Sequence, residues 1–408
     1  MAGTTPGTPS VLRAMNDRAA LDLLLEHGPL SRTRIGKLTG LSKPTASQLL
    51  ARLEAAGLVV ATGTAAGRPG PNAQLYAVNA SAAHVAGLDV NAHRIVAAVA
   101  DVTGETVGEF ELRTPGRRAD SVVRQVTGAL DGAVADAGLA RADVHRVVIG
   151  TPGAFDPNTG RLRYASHLPG WHSPTLLDEL AAVLPMPVEY ENDVNLVAVA
   201  EQRRGAARGH DDFVLLWNEE GLGAALVING RLHRGFTGGA GEVGFLPVPG
   251  APLVRQVAKA NAGGFQELAG AQVLARLARE LGIADEVAPG SGPHHETAAA
   301  LVGRAAEAVE EEGGAGPYGR LLDRFATGLA TGLASLVAVL DPELVVLSGE
   351  LFSRGGEQLR GRVAAELAEL AAARPRLLAG DVTHRPVLRG ALESALATTR
   401  DEVFDTSR

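Results

Sequence analysis

The N-terminal part of the chain places apolar residues at helical spacing in two short stretches that a glycine turn joins. In the first stretch, 31–39, Ile35 and Leu38 lie three residues apart among basic and polar positions. In the second stretch, the apolar positions are Ala46, Leu49, Leu50 and Leu53. Gly57 then precedes an apolar run over 58–60. This order predicts a helix, a tight turn, a second helix and entry into a strand.

The second predicted helix has a polar face suited to contact with DNA. Ser42 is expected to cap its start, because a serine hydroxyl accepts a hydrogen bond from an unpaired amide of the first turn. The positions left toward solvent are Lys43, Thr45, Ser47, Gln48 and Arg52. Such side chains bind base edges and phosphates, so the pattern predicts a recognition helix in a major groove. A small helical hairpin with a solvated polar face is the alternative.

Two predicted strands, 59–61 and 74–78, follow the helix pair and complete a winged helix-turn-helix, to which we assign residues 1–80. The loop between them carries Arg68 on a stiff tip of glycine and proline, which suits entry into a minor groove. The predicted DNA contacts are Arg32, Arg34 and Lys37 to phosphates, and Ser42, Lys43, Thr45, Ser47, Gln48, Arg52 and Arg68. A further helix over 11–27 is expected to pack behind the pair. Its predicted inner face consists of Leu12, Met15, Ala19 and Leu23.

The rest of the chain alternates apolar strands with amphipathic helices, and it does so twice. The segments are 84–114, 121–138 and 144–149 in the first half, and 213–217, 224–229, 321–340 and 344–347 in the second. This repetition predicts an α/β body of two lobes with a central cleft, of the actin-like, sugar-kinase-like (ribonuclease H-like) type. The predicted lobes are 81–205, joined by a C-terminal helix over 390–408, and 206–389, to which we also assign oligomerisation.

Charge and composition narrow the classes of function. The 408 residues carry a net charge of −8, but residues 1–80 contain eight Lys or Arg and four Asp or Glu, a net charge of +4, so the remainder carries −12. A basic head on an acidic body predicts nucleic-acid binding by the head alone. The absence of cysteine excludes disulfides and thiolate zinc sites. With no signal segment and no unbroken apolar run of about 18 residues, we expect a cytoplasmic protein without membrane contact.

Four motifs in the body carry a resemblance to a known family. They are 150–156 (GTPGAFD), 167–171 (HLPGW), 191–193 (END) and 238–244 (GGAGEVG). In order and spacing they resemble the ROK family (repressor, open reading frame, kinase). The winged head is similar to that of its transcription-regulator branch, and the resemblance covers essentially the whole chain.

The resemblance implies a sugar site. Asn192, Asp193, Glu242 and Glu267 match the family's sugar contacts, and His167 stands where the family usually has an asparagine. In the family's kinases the position of Asp193 is the catalytic base, but here we expect it only to bind sugar. Because the positions come from both predicted halves, a ligand is expected to bridge the cleft. The alternative is structural: Asn192 and Asp193 cap the next helix, and Glu242 braces a loop.

Departures from the family argue against kinase chemistry. Asn91, Ala92 and His93 replace small residues and a threonine in the first phosphate turn, and 219–223 (EEGLG) brings carboxylates to the second. A carboxylate repels a triphosphate. Phe245 replaces the zinc-binding histidine, and no cysteine is present, so no metal and no cofactor are expected.

These observations favour a transcriptional regulator, most simply a repressor of carbohydrate-related genes. Its predicted partners are a double-stranded DNA operator, a sugar-type effector and further copies of itself, as a homodimer or homotetramer. Two alternatives remain at this point. One is a ROK sugar kinase with an appended DNA-binding domain, and the other is a regulator that senses no ligand.

Overall fold

The computed structural model describes residues 9–64, 73–114, 121–163, 168, 170–219, 221–255, 263–283 and 294–406. The chain forms two compact units. Unit 1 comprises Met1–Ile149, Leu177–Glu189 and Ala391–Arg408, and unit 2 comprises Gly150–Leu176 and Tyr190–Gly390. These units divide the chain at other places than the predicted domain bounds, which stay a prediction.

Unit 1 begins with three helices and a small antiparallel sheet. The elements are α1 (Pro9–His27), β1 (Leu30–Ser31), α2 (Arg32–Thr39), α3 (Lys43–Ala55), β2 (Val59–Thr64) and β3 (Gln74–Val78), and the strand order is β1-β3-β2. Gly40 ends α2 with φ 73°, a left-handed conformation that glycine adopts without strain. The predicted winged helix-turn-helix is confirmed. The short strand β1, which pairs Leu30 with Tyr76, was not predicted.

The buried face of α1 differs from the predicted one. Leu12 and Met15 are 54% and 62% exposed, whereas Leu21 and Leu24 are buried. The buried face also contains Asp17. An aspartate in the middle of a face marks it as polar, so the apolar pattern selected the wrong side of this helix.

The core of the winged helix includes residues from other parts of unit 1. Phe404, near the end of the chain, and Val102 pack in one cluster with Leu21, Ile35 and Leu53. The winged helix therefore shares its core with the C-terminal segment, although more than 300 residues separate them in the sequence.

A five-stranded sheet accounts for much of the remaining structure of unit 1. The elements are β4 (His84–Val90), β5 (Arg94–Asp101), β6 (Thr106–Arg113), α4 (Val122–Asp136), β7 (Val144–Thr151), α5 (Leu176–Val183), β10 (Val188–Asn192) and α12 (Pro386–Val403), with 3₁₀ turns at Ala80–Ala82 and Arg141–Asp143. The strand order is β10-β7-β4-β5-β6. The last residues of β7 and β10, Asn192 among them, belong to unit 2. Strands β4, β5 and β6, which occupy the predicted strand segment 84–114, form an antiparallel meander.

Unit 2 contains a second sheet of the same design. Its elements are the hairpin β8 (Ala154–Asp156) and β9 (Arg161–Arg163), α6 (Asp193–Arg204), β11 (Phe213–Asn218), β12 (Leu222–Ile228), β13 (Arg231–Leu232), a 3₁₀ turn (Val243–Phe245), α7 (Phe265–Ala269), α8 (Gln272–Glu280), α9 (His294–Glu312), α10 (Pro317–Leu340), β14 (Leu344–Ser348), α11 (Glu350–Leu370) and β15 (Arg376–Ala379). The strand order is β13-β12-β11-β14-β15. In both sheets a three-stranded antiparallel meander comes first, and two later strands extend the sheet beside the first strand of the meander. This repeated order confirms the predicted duplicated α/β body.

Helix α10 is long and apolar enough, by length and composition, to cross a membrane. Its side chains Phe325, Leu329 and Leu333 are fully buried in the core of unit 2. The apolar character of α10 is therefore used in packing against its own unit.

Candidate nucleic-acid interface and effector site

The start of α3 is fixed by the serine cap that the sequence predicted. The Ser42 hydroxyl accepts a hydrogen bond from the backbone N–H of Thr45 at 3.4 Å, and the two hydroxyls lie 2.8 Å apart. Leu50 and Leu53 are buried on the inner side of the helix. Lys43, Thr45 and Gln48 are consequently exposed on its outer side.

Besides Ser42 and Thr45, three of the predicted DNA-contacting side chains already have partners within the winged helix. Arg32 donates from Nη1 to the Ser47 hydroxyl at 3.1 Å, and that hydroxyl donates to the Lys43 carbonyl. Arg52 donates from Nη2 to the buried carboxylate of Asp17 at 2.6 Å. The positive charge of Arg52 is thereby balanced inside the winged helix.

The other predicted phosphate contacts, Arg34 and Lys37, are exposed on α2. Arg68, the predicted minor-groove contact, lies outside the described residues. The structure thus brings an exposed set of basic and hydrogen-bonding side chains together on α2 and α3.

In the predicted effector site, Asn192 has a structural task. Its Oδ1 accepts from the backbone N–H of Asn195 at 3.0 Å, which caps α6, and its Nδ2 donates to the Gly153 carbonyl at 3.1 Å. The capping alternative therefore describes Asn192 correctly. Asp193 is the first residue of α6.

The glycine-rich loop that carries Glu242 is held against its surroundings by close backbone contacts. A Cβ atom at Gly238 would lie 2.1 Å from the Phe155 carbonyl oxygen, and one at Gly241 would lie 2.0 Å from that of Ala224. Both glycines also have positive φ, 76° and 97°. No other residue type fits these two positions without strain. The loop conformation that positions Glu242 therefore depends on both glycines.

The Glu242 carboxyl is partly buried, and no described residue donates a hydrogen bond to it. Burial raises its pKa from 4.5 to about 7. A carboxylate in this condition gains from any ligand that supplies hydroxyl donors.

Glu267 and His167 complete the predicted set. Glu267 forms an ion pair with Arg276 at 3.0 Å, so part of its accepting capacity is already in use. His167 lies outside the described residues. The four predicted contacts that the structure describes all belong to unit 2, and the expectation that they come from both predicted halves stays a prediction.

An ion pair that the sequence did not reveal joins the end of β10 to the loop that leads to Glu242. Arg234 donates from Nε to Oε2 of Glu191 at 2.6 Å, and only 11% of the Glu191 side chain is exposed. The same carboxylate accepts from the amide of Asn195. The two partners lie 43 residues apart and no spacing rule connects them, so the pair required the tertiary structure.

A separate cavity of about 360 Å³ lies at the carboxyl ends of the parallel strands β11, β14 and β15. Ligands of α/β proteins commonly bind at such strand ends. Its charged lining residues are Glu219, Glu350 and Arg354, and Arg354 pairs with Glu350 at 3.3 Å. Glu219 lies against Gly349, which precedes α11. The cavity therefore presents a carboxylate at the amino end of a helix, where a phosphate would otherwise be favoured.

The sequence model of the ROK family matches residues 85–396, well over half of the chain, and that of the MarR family matches residues 15–68. The chain therefore belongs to the ROK family, in the transcriptional-regulator branch that joins this body to an N-terminal winged helix.

Comparison with individual proteins agrees with that placement. The xylose repressor of Caldicellulosiruptor bescii is 26% identical over 356 residues, which cover 85% of this chain and 87% of that protein. A glucokinase of Halalkalibacterium halodurans is 28% identical over 281 residues, 67% of this chain and 82% of that protein. The structure of a ROK family transcriptional regulator, a homolog of the Escherichia coli MLC protein, covers 97% of this chain and 98% of its own with a TM-score of 0.71; at 18% identity it shows the shared fold.

Proposed function

We propose that the chain is a cytoplasmic, homo-oligomeric transcriptional repressor that binds a double-stranded DNA operator and responds to a sugar-type effector. The observation that carries the DNA-binding part is the geometry of α3. Its start is capped by Ser42, its apolar side is buried, and its polar side is exposed beside the basic residues of α2. The similarity to a xylose repressor supports the repressor assignment.

An oligomer is proposed for an electrostatic reason. The net charge of +4 on residues 1–80 is modest for binding DNA, whose affinity for proteins rises with the number of neutralised phosphates. Two winged helices in a dimer would double that charge and would contact half-sites about 34 Å apart.

The DNA-binding part is tested with the full chain and the promoter region of its own gene. Fluorescence anisotropy at two or more salt concentrations is expected to show binding to that region that exceeds binding to unrelated DNA and weakens as salt rises. Equal binding to both DNAs at every salt concentration would contradict a sequence-specific regulator.

The effector part rests on Glu242 and Asp193. A partly buried carboxylate that receives no hydrogen bond from the described residues would, together with the carboxylate that begins α6, suit a ligand with several neighbouring hydroxyl groups. An effector changes DNA affinity only by binding the two forms of the protein unequally, and such coupling is commonly about 5- to 150-fold. We expect a change in operator affinity within that range.

The measurement is operator affinity across a panel of sugars and sugar phosphates. Asp193→Ala and Glu242→Ala are expected to remove the response of the parent. If no compound changes the parent's affinity, the ligand-independent alternative is correct. If a compound acts equally on the parent and both variants, it binds elsewhere.

A sugar kinase is the second candidate, favoured by the similarity to a glucokinase and by Asp193 at the family's base position. The carboxylates of the strand-end cavity oppose it, since they would repel Mg-ATP. We therefore expect no ATP-dependent phosphorylation of glucose, N-acetylglucosamine or xylose in a coupled assay. Turnover that Asp193→Asn abolished would establish the kinase instead.

A further inference from the structure

The hairpin β8–β9 carries a second cavity, of about 560 Å³, with a basic lining. The lining residues are Thr159, Arg161, Leu162, Arg163, His172 and Pro174. Arg161 and Arg163 are two residues apart on β9 and so project from the same face of the strand. Among these residues there is no carboxylate, in contrast to the cavity at the strand ends of unit 2.

Arg163 is held in place by an ion pair with Asp156 on the neighbouring strand β8, where Asp156 lies opposite Arg161. Although burial acts to raise it, the pKa of the Asp156 carboxyl is lowered by a hydrogen bond from the Asn158 backbone and by the charge of Arg163. The carboxylate therefore stays ionised and orients the guanidinium. A guanidinium has five N–H donors, so Arg163 keeps donors for a ligand.

Arg161 supplies further donors, and the ring of His172 also lines the cavity. Arg161 is exposed and forms no ion pair or hydrogen bond with any residue that the structure describes. The Nδ1 atom of His172 lies 3.1 Å from the carbonyl oxygen of Leu162. Because a carbonyl only accepts, Nδ1 carries the proton in this contact, and Nε2 is left for another partner. The cavity thus contains one guanidinium without an ion-pair partner among the described residues, one oriented guanidinium and an imidazole. The Thr159 hydroxyl is already hydrogen-bonded to Asp156.

Within unit 2, hydrogen bonds fix the hairpin to the two segments that carry Asn192 and Glu242. At its base, Asn192 donates to the Gly153 carbonyl at 3.1 Å. Near its tip, Asn158 donates from Nδ2 to the Phe236 carbonyl, in the loop that leads to Glu242, at 2.8 Å. A ligand group bound by the hairpin would therefore influence the positions of these two segments.

We propose that this cavity binds a phosphate group and that the effector is a phosphorylated sugar rather than a neutral one. Two guanidinium groups suit the planar, multidentate recognition of phosphate oxygens. The effector part of this inference rests on the proposed function. The phosphate could reach the cavity as the ester of a sugar phosphate or as free inorganic phosphate, and the experiment distinguishes the two.

The experiment uses calorimetry on the full chain with four probes: glucose 6-phosphate, glucose, inorganic phosphate, and glucose together with inorganic phosphate. The main variant is Arg161→Ala, because removing this side chain leaves no buried partner unpaired. Arg231→Ala is the matched control, since Arg231 is an exposed arginine on β13 outside the cavity. Operator affinity is measured with the same probes.

Glucose 6-phosphate is expected to bind more tightly than glucose, and Arg161→Ala to weaken it by about 10-fold or more while Arg231→Ala does not. Arg161→Lys is expected to recover part of the loss, since it restores the charge without the planar fork. Tighter binding of glucose when inorganic phosphate is present, again dependent on Arg161, would identify free phosphate as the source.

Equal binding of the phosphate probes to the parent and Arg161→Ala would overturn the proposal. So would weaker operator binding by Arg161→Ala without any probe, because the arginine would then contact DNA. If neutral sugars alone change operator affinity, the inference fails and the proposed function stands. If phosphate binding depends on Arg161 but no probe changes operator affinity, the cavity is a phosphate site and the effector assignment fails.

Discussion

The outer face of α3 and the loop of Glu242 are both expected to bind a ligand, but the protein prepares them in opposite ways. The polar side chains of α3 are exposed to solvent, and its first turn is already capped by Ser42. The Glu242 carboxyl is partly buried, and its pKa is raised to about 7 because burial removes water and no described residue donates a hydrogen bond in its place. Binding at α3 adds contacts to side chains that are already hydrated or hydrogen-bonded. A ligand that donates to Glu242 would instead offset the free-energy cost of burying that carboxyl.

The largest effect that this comparison predicts is on stability, at Glu242. Between pH 4.5 and about 7 the carboxyl ionises in the unfolded chain but stays protonated in the folded one. The unfolded state then binds fewer protons, so stability falls as pH rises through this window and is level above it. The total loss is about 3 kcal/mol, and Glu242→Gln should remove it.

Urea unfolding of the parent and Glu242→Gln at pH 5, 6, 7 and 8 measures this difference. Glu369→Gln is the matched control, because Glu369 is an exposed carboxylate on α11. The difference between Glu242→Gln and the parent should grow with pH, and the control should show no such trend. A difference that stays constant from pH 5 to pH 8 would mean that the Glu242 carboxyl is well solvated, and the comparison with α3 would lose its basis.

The next effect is on DNA affinity, at Gln48 and Lys37. If α3 enters the major groove, Gln48→Ala should cost about 1–3 kcal/mol on the operator and relax sequence preference. Lys37→Ala should weaken operator and unrelated DNA about equally, since a phosphate contact carries no sequence information. The measurement is the affinity of each variant for both DNAs. Two variants indistinguishable from the parent would remove these helices from the interface.

The smallest effect is on the cap of α3. Ser42→Ala removes the side-chain acceptor for the Thr45 amide and should lower the free energy of unfolding by about 1 kcal/mol. Thr33→Ala, at an exposed hydroxyl on α2, is the control and should change stability less. If both substitutions have the same small effect in thermal unfolding, the cap does not stabilise the start of α3 in the free protein.

The elements predicted most accurately are those specified by local spacing. The apolar positions of α3, its serine cap and the alternation of strands and helices in the body were all predicted from neighbouring residues. The predicted inner face of α1 was wrong, because the side that packs inward contains Asp17. Only the fold shows that Asp17 meets Arg52, 35 residues away, and that this arginine is already balanced within the winged helix.

The functional residues also divide into those predicted from the sequence and those found only in the structure. Asn192, Asp193 and Glu242 were singled out by a family resemblance, and the structure adds that Asn192 caps α6. The basic cavity of β8–β9 was missed. An Arg-x-Arg pattern on a short strand was visible in the sequence, but such a pattern is common on solvated edges, and nothing in it indicated that His172 would line the same cavity.

The sequence by itself determined the two helices of the winged head, the repeated α/β body and the lack of any disulfide or thiolate metal site. These follow from residue type and from interactions between residues three or four apart, which form wherever the segment is placed. The tertiary structure alone decided the raised pKa of Glu242, the pairing of Glu191 with Arg234 and the cavity around Arg161. Each depends on which distant segments displace water or bring opposite charge, and no local pattern contains that information.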